Sequence, residues 1–200
     1  MECQDVTALI DEIRYLGSEL DDVEAKTAHG GLPQRIYRSL SALSNRRGGG
    51  VILLGVDEAQ QFAVVGVPDV AGLQADLSSV ASEMRPPLRL TFDVCQIEGE
   101  TVVAVTVPEC PANQKPCYWE RAGLEGGAYV RVGNTNRRMT QNEIRRLWLS
   151  QRGDVEPTWS RRLPWRTWTG GEWRPTAPPC SSDGPSQSLP GSRWRTCCWG

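Results

Sequence analysis

The sequence predicts an α+β fold (α/β mixed): a mixed, mostly antiparallel sheet with helices packed on it. Three observations carry this. Apolar residues recur at helical spacing in several separate segments, so each of these helices presents one apolar face. Short β-rich apolar runs fall between them, bounded by glycine, proline and acidic residues. The runs are joined in pairs by connections of hairpin length, at 57–61 and 97–100, which favours antiparallel neighbours.

Taken in order, Thr7 to Tyr15 reads as a helix with Asp5 or Thr7 as N-cap, Ile10, Ile13 and Leu16 inward, and Gly17-Ser18 as its end. Asp22 to Lys26 reads as a short strand with charged residues on one side. Leu32 to Ser44 reads as an amphipathic helix, because Ile36, Leu40 and Leu43 fall at i, i+4 and i+7. Pro33 sits where a first-turn proline is tolerated. Gly48-Gly49-Gly50 leads into a strand from Val51 to Asp57, whose unbroken apolar run predicts burial on both faces. The glycines allow close packing and a sharp helix-to-strand turn. They lack the spacing of a phosphate-binding P-loop and precede a strand instead of following one.

Phe62 to Val67 reads as a second apolar strand. Asp69 to Met84 reads as a helix, stopped by Arg85-Pro86-Pro87. Arg89 to Gln96 and Thr101 to Val107 read as an antiparallel pair, with Leu90, Phe92 and Val94 alternating against polar neighbours. Tyr118 to Arg121 and Ala128 to Val132 read as a hairpin around Gly123 to Gly127. Thr140 then caps a helix reaching about Gln151, with Glu143 completing a Thr-x-x-Glu capping box.

The predicted domain covers residues 1–153, and 154–200 read as a disordered Trp/Arg/Pro-rich tail. Six of the eight tryptophans lie in that tail with no helical or strand period, and arginine outnumbers lysine twenty to two. That bias points to a GC-rich gene and to a frameshifted or out-of-frame extension; a Trp/Arg-rich binding tail is the other reading. Residues 1–157 carry 16 basic against 22 acidic side chains, net −6, while 158–200 carry +4. An acidic body argues against indiscriminate nucleic-acid binding but leaves room for a local basic face. No apolar run approaches the roughly 20 residues a membrane span needs. The acidic N-terminus does not read as a signal peptide, so a cytoplasmic protein is expected. The seven cysteines show no CxxC pair and no disulfide-like spacing, which predicts free thiols in a reducing compartment.

Two constellations carry candidate chemistry. Glu19, Glu24 and Asp57 are the candidate catalytic and metal-ligating residues. Glu24 and Lys26 are two apart on a strand and share a face, and Asp57 ends the neighbouring strand. Three convergent carboxylates suit Mg²⁺ or Mn²⁺, with Lys26 supporting a phosphate or a carboxylate. The plainer alternative makes Glu24–Lys26 a surface ion pair and Asp57 a turn opener. The second constellation is basic: Arg35, Arg38, Arg46 and Arg47 on or after the Leu32–Ser44 helix, and Arg131, Arg137 and Arg138 around Gly133-Asn134-Thr135. If both regions face one groove they form a phosphate-binding surface; otherwise they are a solvated face. His29 is the sole histidine and has no evident catalytic partner.

The ordered set Glu19, Val23-Glu24-Ala25-Lys26, Leu32-Pro33, Ser41-Ala42-Leu43-Ser44-Asn45, Gly48-Gly49, Leu54-Gly55-Val56-Asp57, Val65-Gly66-Val67 and Tyr129-Val130-Arg131-Val132-Gly133 resembles the Schlafen-type AlbA-like domain, from about Ile10 to Leu149. The resemblance implies nucleic-acid binding (DNA or RNA), here expected of a binding module within a transcriptional regulator, and a homodimer. In animal Schlafen proteins it implies a carboxylate triad that cuts RNA, matched here by Glu19, Glu24 and Asp57. Metal-dependent endoribonuclease is therefore the alternative, and a protein-interaction or dimerisation domain the second alternative. No cofactor is expected, and Mg or Mn only for the nuclease. An ATP-binding label common among relatives is expected to reflect a downstream domain.

Overall fold

The computed structural model describes residues 1–151, and the Trp/Arg/Pro-rich tail expected over 154–200 lies outside them. Helix α1 (Cys3–Leu16) buries Val6, Ile10 and Ile13 and closes on Gly17 at φ 66°. It begins earlier than expected because the Glu2 N–H donates to the Asp5 carboxylate at 2.9 Å. Leu16, expected inward, is 50% exposed. Strand β1 (Val23–Lys26) follows, then α2 (Ile36–Asn45). Helix α2 starts after Pro33, whose carbonyl accepts from the Ile36 N–H. Next come β2 (Gly50–Leu54), β3 (Val56–Asp57), β4 (Ala63–Val64), α3 (Val70–Ser82) and β5 (Met84–Arg85). The chain continues through β6 (Thr91–Ile97), β7 (Glu100–Val107), β8 (Tyr118–Trp119) and α4 (Gly123–Gly127). It ends in β9 (Tyr129–Val132), β10 (Thr135–Arg138) and α5 (Gln141–Gln151).

The main sheet has the order β1-β2-β7-β6. Only β1 and β2 run parallel; the other two pairs are antiparallel. Successive side chains on a strand point to opposite faces, and here both faces are covered. Ile52, Leu54, Val103 and Val105 pack with Leu40 and Leu43 of α2 and Leu73 and Leu77 of α3. Leu53, Val102 and Ala104 pack on the other face with Val6, Ile10 and Ile13 of α1. Two-sided burial is the reason the apolar runs at 51–54 and 102–105 do not alternate.

The run Val51–Asp57 is two strands. Gly55 breaks it at φ 96°, a left-handed conformation that disfavours any side chain. Its N–H donates to the Lys26 carbonyl at 2.9 Å, while β3 turns away to pair with β4. The Gly48–Gly50 turn is as tight as expected. A Cβ on Gly49 would lie 2.3 Å from the Val107 carbonyl oxygen.

The expected hairpin of 118–121 with 128–132 does not form. Strand β8 pairs with β5, β9 pairs with β10, and one bridge, Tyr118 to Ala128, remains between the two segments. Side chains of α2 instead bind main-chain groups next to that bridge, at Cys117 and Tyr129. Ser41 Oγ donates to the Cys117 carbonyl at 2.7 Å and accepts from the Tyr129 N–H at 2.8 Å. Asn45 Nδ2 donates to the carbonyls of Cys117 and Tyr129, and its Oδ1 accepts from the Cys117 N–H. Buried main-chain groups must be paired, and a helix supplies the pairing here.

The cysteine expectation is corrected at one pair. Cys3 and Cys95 form a disulfide that ties α1 to the edge strand β6, across 92 residues. Widely spaced cysteines that meet only in the fold carry no spacing signal. Cys110 and Cys117 are free and buried. Among the described residues no helix is long and apolar enough to cross a membrane.

Two outcomes test this architecture. Cys3→Ser lowers the free energy of unfolding by about 2–4 kcal/mol, as expected for a bridge closing a long loop; denaturant melts of oxidised and variant protein measure it, and identical midpoints would contradict the bridge. At α5 the expected box is present: the Thr140 N–H donates to Glu143 at 2.8 Å and the Glu143 N–H to Thr140 Oγ1 at 3.3 Å. Thr140→Ala therefore costs about 1 kcal/mol, read in the same melts.

Candidate functional site

The site begins at β1, the parallel edge of the sheet. Alternation sends Glu24 and Lys26 to one side, as expected, but Glu24 is only 4% exposed. Glu19 reaches back onto the same strand, accepting from the Ala25 N–H at 2.7 Å. Arg131 of β9 lies between the two carboxylates. One of its terminal nitrogens, NH2, donates to Glu19 at 2.9 Å and to the carbonyl of Val23 at 2.6 Å. The other, NH1, donates to Glu24 and, at 3.0 Å, to Asn136 Oδ1. Its Nε is buried without a partner.

Glu24 is fully engaged. Its Oε1 accepts from Ser39 Oγ at 3.0 Å and lies 2.8 Å from Lys26 Nζ. Its Oε2 accepts from Arg131 and, at 3.1 Å, from Asn136 Nδ2. Four donors fill the acceptor capacity of a carboxylate. Burial opposes the Glu24 charge, but Lys26, Arg131 and Ser39 together outweigh it and hold the carboxyl below the ordinary value of 4.5. Glu19 goes the other way: burial, then the Glu24 charge, push it above that value despite Ala25, Lys26 and Arg131. Glu24 thus carries the charge of the pair, and Glu19 takes up a proton first as pH falls.

Asp57 does not join this cluster. Its carboxylate accepts from the Ala59 N–H at 3.0 Å and from Gln60 Nε2 at 2.7 Å, closing the turn after β3. Among the described residues no group of three His, Cys, Asp or Glu side chains is placed to hold a metal. A divalent cation at Glu24 would have to displace Lys26 and Arg131, so the donor set present fits a salt-bridged cluster and not a metal centre.

The basic residues separate into two groups. Arg46 pairs with Asp21 at 2.8 Å, and Arg137 with Glu143 at 2.6 Å. Arg137 and the Thr140 groups hold Glu143 down to about 2. Arg131, expected on the groove, is instead buried, because two carboxylates and two carbonyls solvate its guanidinium in place of water. Arg35, Arg38, Arg47 and Arg138 make no ion pair with a described carboxylate. Arg38 lies 5.5 Å from the ring centre of Tyr129 and 5.9 Å from that of Tyr37, which stacks on Trp119 at 4.2 Å.

Helix α2 and β10 do meet. They enclose an open pocket of about 230 Å³. Lys26, Arg35 and Arg38 supply its cations; Glu24, Ser39 and Asn136 form its floor; Pro33 and Ile36 are its apolar wall. Arg138 lies two residues beyond Asn136 on β10, so it continues the same face of that strand. Arg47 lies at the far end of the ten-residue α2, about 15 Å along its axis. Sequence reasoning did not single out Ser39, Asn136, Tyr37 or Trp119. A signal existed for Ser39: small polar residues at 39, 41 and 44 flank the apolar stripe and mark a buried polar flank.

The opposite shifts give a pH test. Glu24 contributes stability that is present above about pH 4.5 and lost as pH falls through its lowered folded value; Glu19 binds its proton more tightly when folded, so its contribution is lost as pH rises through its raised value. Glu24→Gln therefore costs about 3–5 kcal/mol near neutrality, the range for breaking a buried pair. The gap to wild type narrows on the acid side, where the native carboxylate is protonated as well. Urea melts across pH check this; a loss equal at every pH would show that charge is not its source.

Comparison with known proteins agrees with this architecture. The family model described as Schlafen, AlbA_2 matches residues 19–140. The N-terminal domain of a RecG-related protein from Nitrosomonas europaea, solved by NMR, is 34% identical with a TM-score of 0.53; the match covers 70% of this chain and 95% of that one. The DIP2311 protein from Corynebacterium diphtheriae is 14% identical at a TM-score of 0.49, over 74% of this chain and 29% of that one. No match was found among curated proteins. The family match opens at Glu19 and takes in Glu24, Lys26, α2, the β9–β10 ribbon and the pocket between them: the chain belongs to the Schlafen AlbA_2 family.

Proposed function

We propose that the domain is a nucleic-acid-binding module that contacts the phosphate backbone through the face formed by α2 and β10. The observation that carries this reading is the set of arginines left without carboxylate partners beside the pocket. Arg35 at the N-cap of α2, Arg38 within α2 and Arg138 on β10 flank the place where the two elements meet, in a domain whose overall charge is negative. A net acidic body with a local cationic face favours directed contact over indiscriminate association. The RecG-related neighbour is named for a DNA helicase, which accords with a nucleic-acid partner. The module is read as DNA- or RNA-binding, within a transcriptional regulator.

The endoribonuclease alternative is less well served. Its first two carboxylates are neutralised by Arg131 and Lys26, and its third caps a turn.

Binding measured by fluorescence anisotropy against salt tests the proposal. Each phosphate contacted contributes a slope of about 0.7 for single strands and about 0.9 for duplex. Arg35→Ala and Arg138→Ala each weaken binding and lower the slope by about one contact. Arg46→Ala and Arg137→Ala, which remove already paired cations, change affinity by less than about twofold. Absence of salt-dependent binding to both DNA and RNA would sink the proposal.

A further inference from the structure

The pocket between α2 and β10 has more chemical definition than a backbone-tracking face requires. Its floor has little acceptor capacity to spare: one lone pair each on Ser39 Oγ and Asn136 Oδ1. Glu24 already takes four donors, and Asn136 donates to Glu24 and to Ser39 Oγ while accepting from Arg131. A ligand that must donate, such as a sugar hydroxyl or a metal-bound water, finds no ionised acceptor left for it there. A ligand that accepts does. The Arg35 side chain makes no hydrogen bond or ion pair within the described residues. Arg38 uses only Nε, on the Tyr37 hydroxyl at 3.4 Å. Lys26, by contrast, is committed to Glu24 and to the Ala25 carbonyl. The site therefore presents two uncompensated positive charges, one on each of two forked donors.

That charge selects among phosphates. A phosphodiester within a strand carries one negative charge, whereas a terminal phosphomonoester carries about 1.5 to 2. Forked guanidinium groups match the several oxygens of a phosphomonoester. Size points the same way. A pocket of about 230 Å³ is smaller than the roughly 300 Å³ at which small-molecule sites begin. At about 30 Å³ per water it holds roughly eight waters. That accommodates a phosphate and the edge of its sugar, with Pro33 and Ile36 as the apolar wall. No side chain caps the α2 N-terminus, whose positive end lies at this pocket.

We propose that the Arg35–Arg38 pocket seats a terminal phosphomonoester, the phosphorylated end of a nucleic-acid strand. The inference rests on the nucleic-acid-binding reading and adds an end to it: the strand's phosphate terminus enters the pocket, and the remainder runs past Arg138. Free phosphate has the same chemistry, and the experiment separates the two sources.

The full chain is titrated into short single-stranded oligonucleotides identical except for a phosphate or a hydroxyl at one end, the label being at the other. Both 5′- and 3′-phosphates are tried. Wild type binds one phosphorylated form about tenfold more tightly than its hydroxyl counterpart, in line with charge-assisted hydrogen bonds. Arg35→Ala brings the ratio close to one. Arg138→Ala, outside the pocket lining, weakens both forms alike and preserves the ratio, which separates end recognition from added charge. A wild-type ratio near one, with binding retained, overturns the end site and leaves the backbone-binding module standing. Loss of all oligonucleotide binding defeats the module instead. In that event thermal unfolding in inorganic phosphate, against chloride of equal ionic strength, decides the pocket. A rise in Tm that Arg35→Ala abolishes supports a site for phosphate itself, and no rise overturns it.

Discussion

The Arg131 guanidinium holds this domain's working face together. Together with Asn136, it joins the β9–β10 ribbon, a separate two-stranded sheet, to the edge strand β1 of the main sheet. Burying an arginine and two glutamates is costly, and their mutual attraction compensates only where the remaining donors and acceptors are also matched. Here they are nearly all matched. Carbonyls of Leu20 and Val23, the Ala25 N–H, Ser39, Lys26 and Asn136 complete the cluster, and Arg131 Nε alone is left over. Such a cluster accepts one geometry. It sets the distance between β10 and α2, and so the width of the pocket between them.

The same cluster decides what chemistry remains available. Carboxylates that solvate a buried arginine are not free to bind a cation, and an arginine held by two carboxylates is not free to bind a phosphate. The division of shifts between Glu24 and Glu19 expresses this constraint: one anion is held by its cations, while the second is penalised by burial and then by its neighbour. The charges left for an external partner are those that the cluster does not use, Arg35 and Arg38 on α2 and Arg138 on β10. Net charge is a poor guide to such a face, because pairing inside the domain removes some cations from view and leaves others.

Helix α2 serves three surfaces at once. Its apolar stripe packs on the sheet, Ser41 and Asn45 tie down the segments around Cys117 and Tyr129, and Arg35, Arg38 and Ser39 line the pocket. Any displacement of this helix would be felt at all three. The glycine turn that follows fixes its far end, since Gly49 approaches the Val107 carbonyl too closely to carry a side chain.

Local pattern by itself determined the α+β class, the α2 stripe, the β6–β7 hairpin and the Thr140–Glu143 box, because each depends on neighbours a few residues apart or on a period. It also determined that Glu24 and Lys26 share a face. Tertiary structure alone decided the rest. The partner of β8 is 33 residues upstream in β5, while Ser41 and Asn45 hold the main-chain groups of Cys117 and Tyr129 beside it. Cys3 meets Cys95 through the packing of α1 on the sheet. Asp57 stays with its own turn, and Arg131 turns inward, because Glu19 and Glu24 lie more than a hundred residues earlier and only the fold brings them within reach. A charge's role is set by its partners, and partners distant in sequence leave no periodic trace.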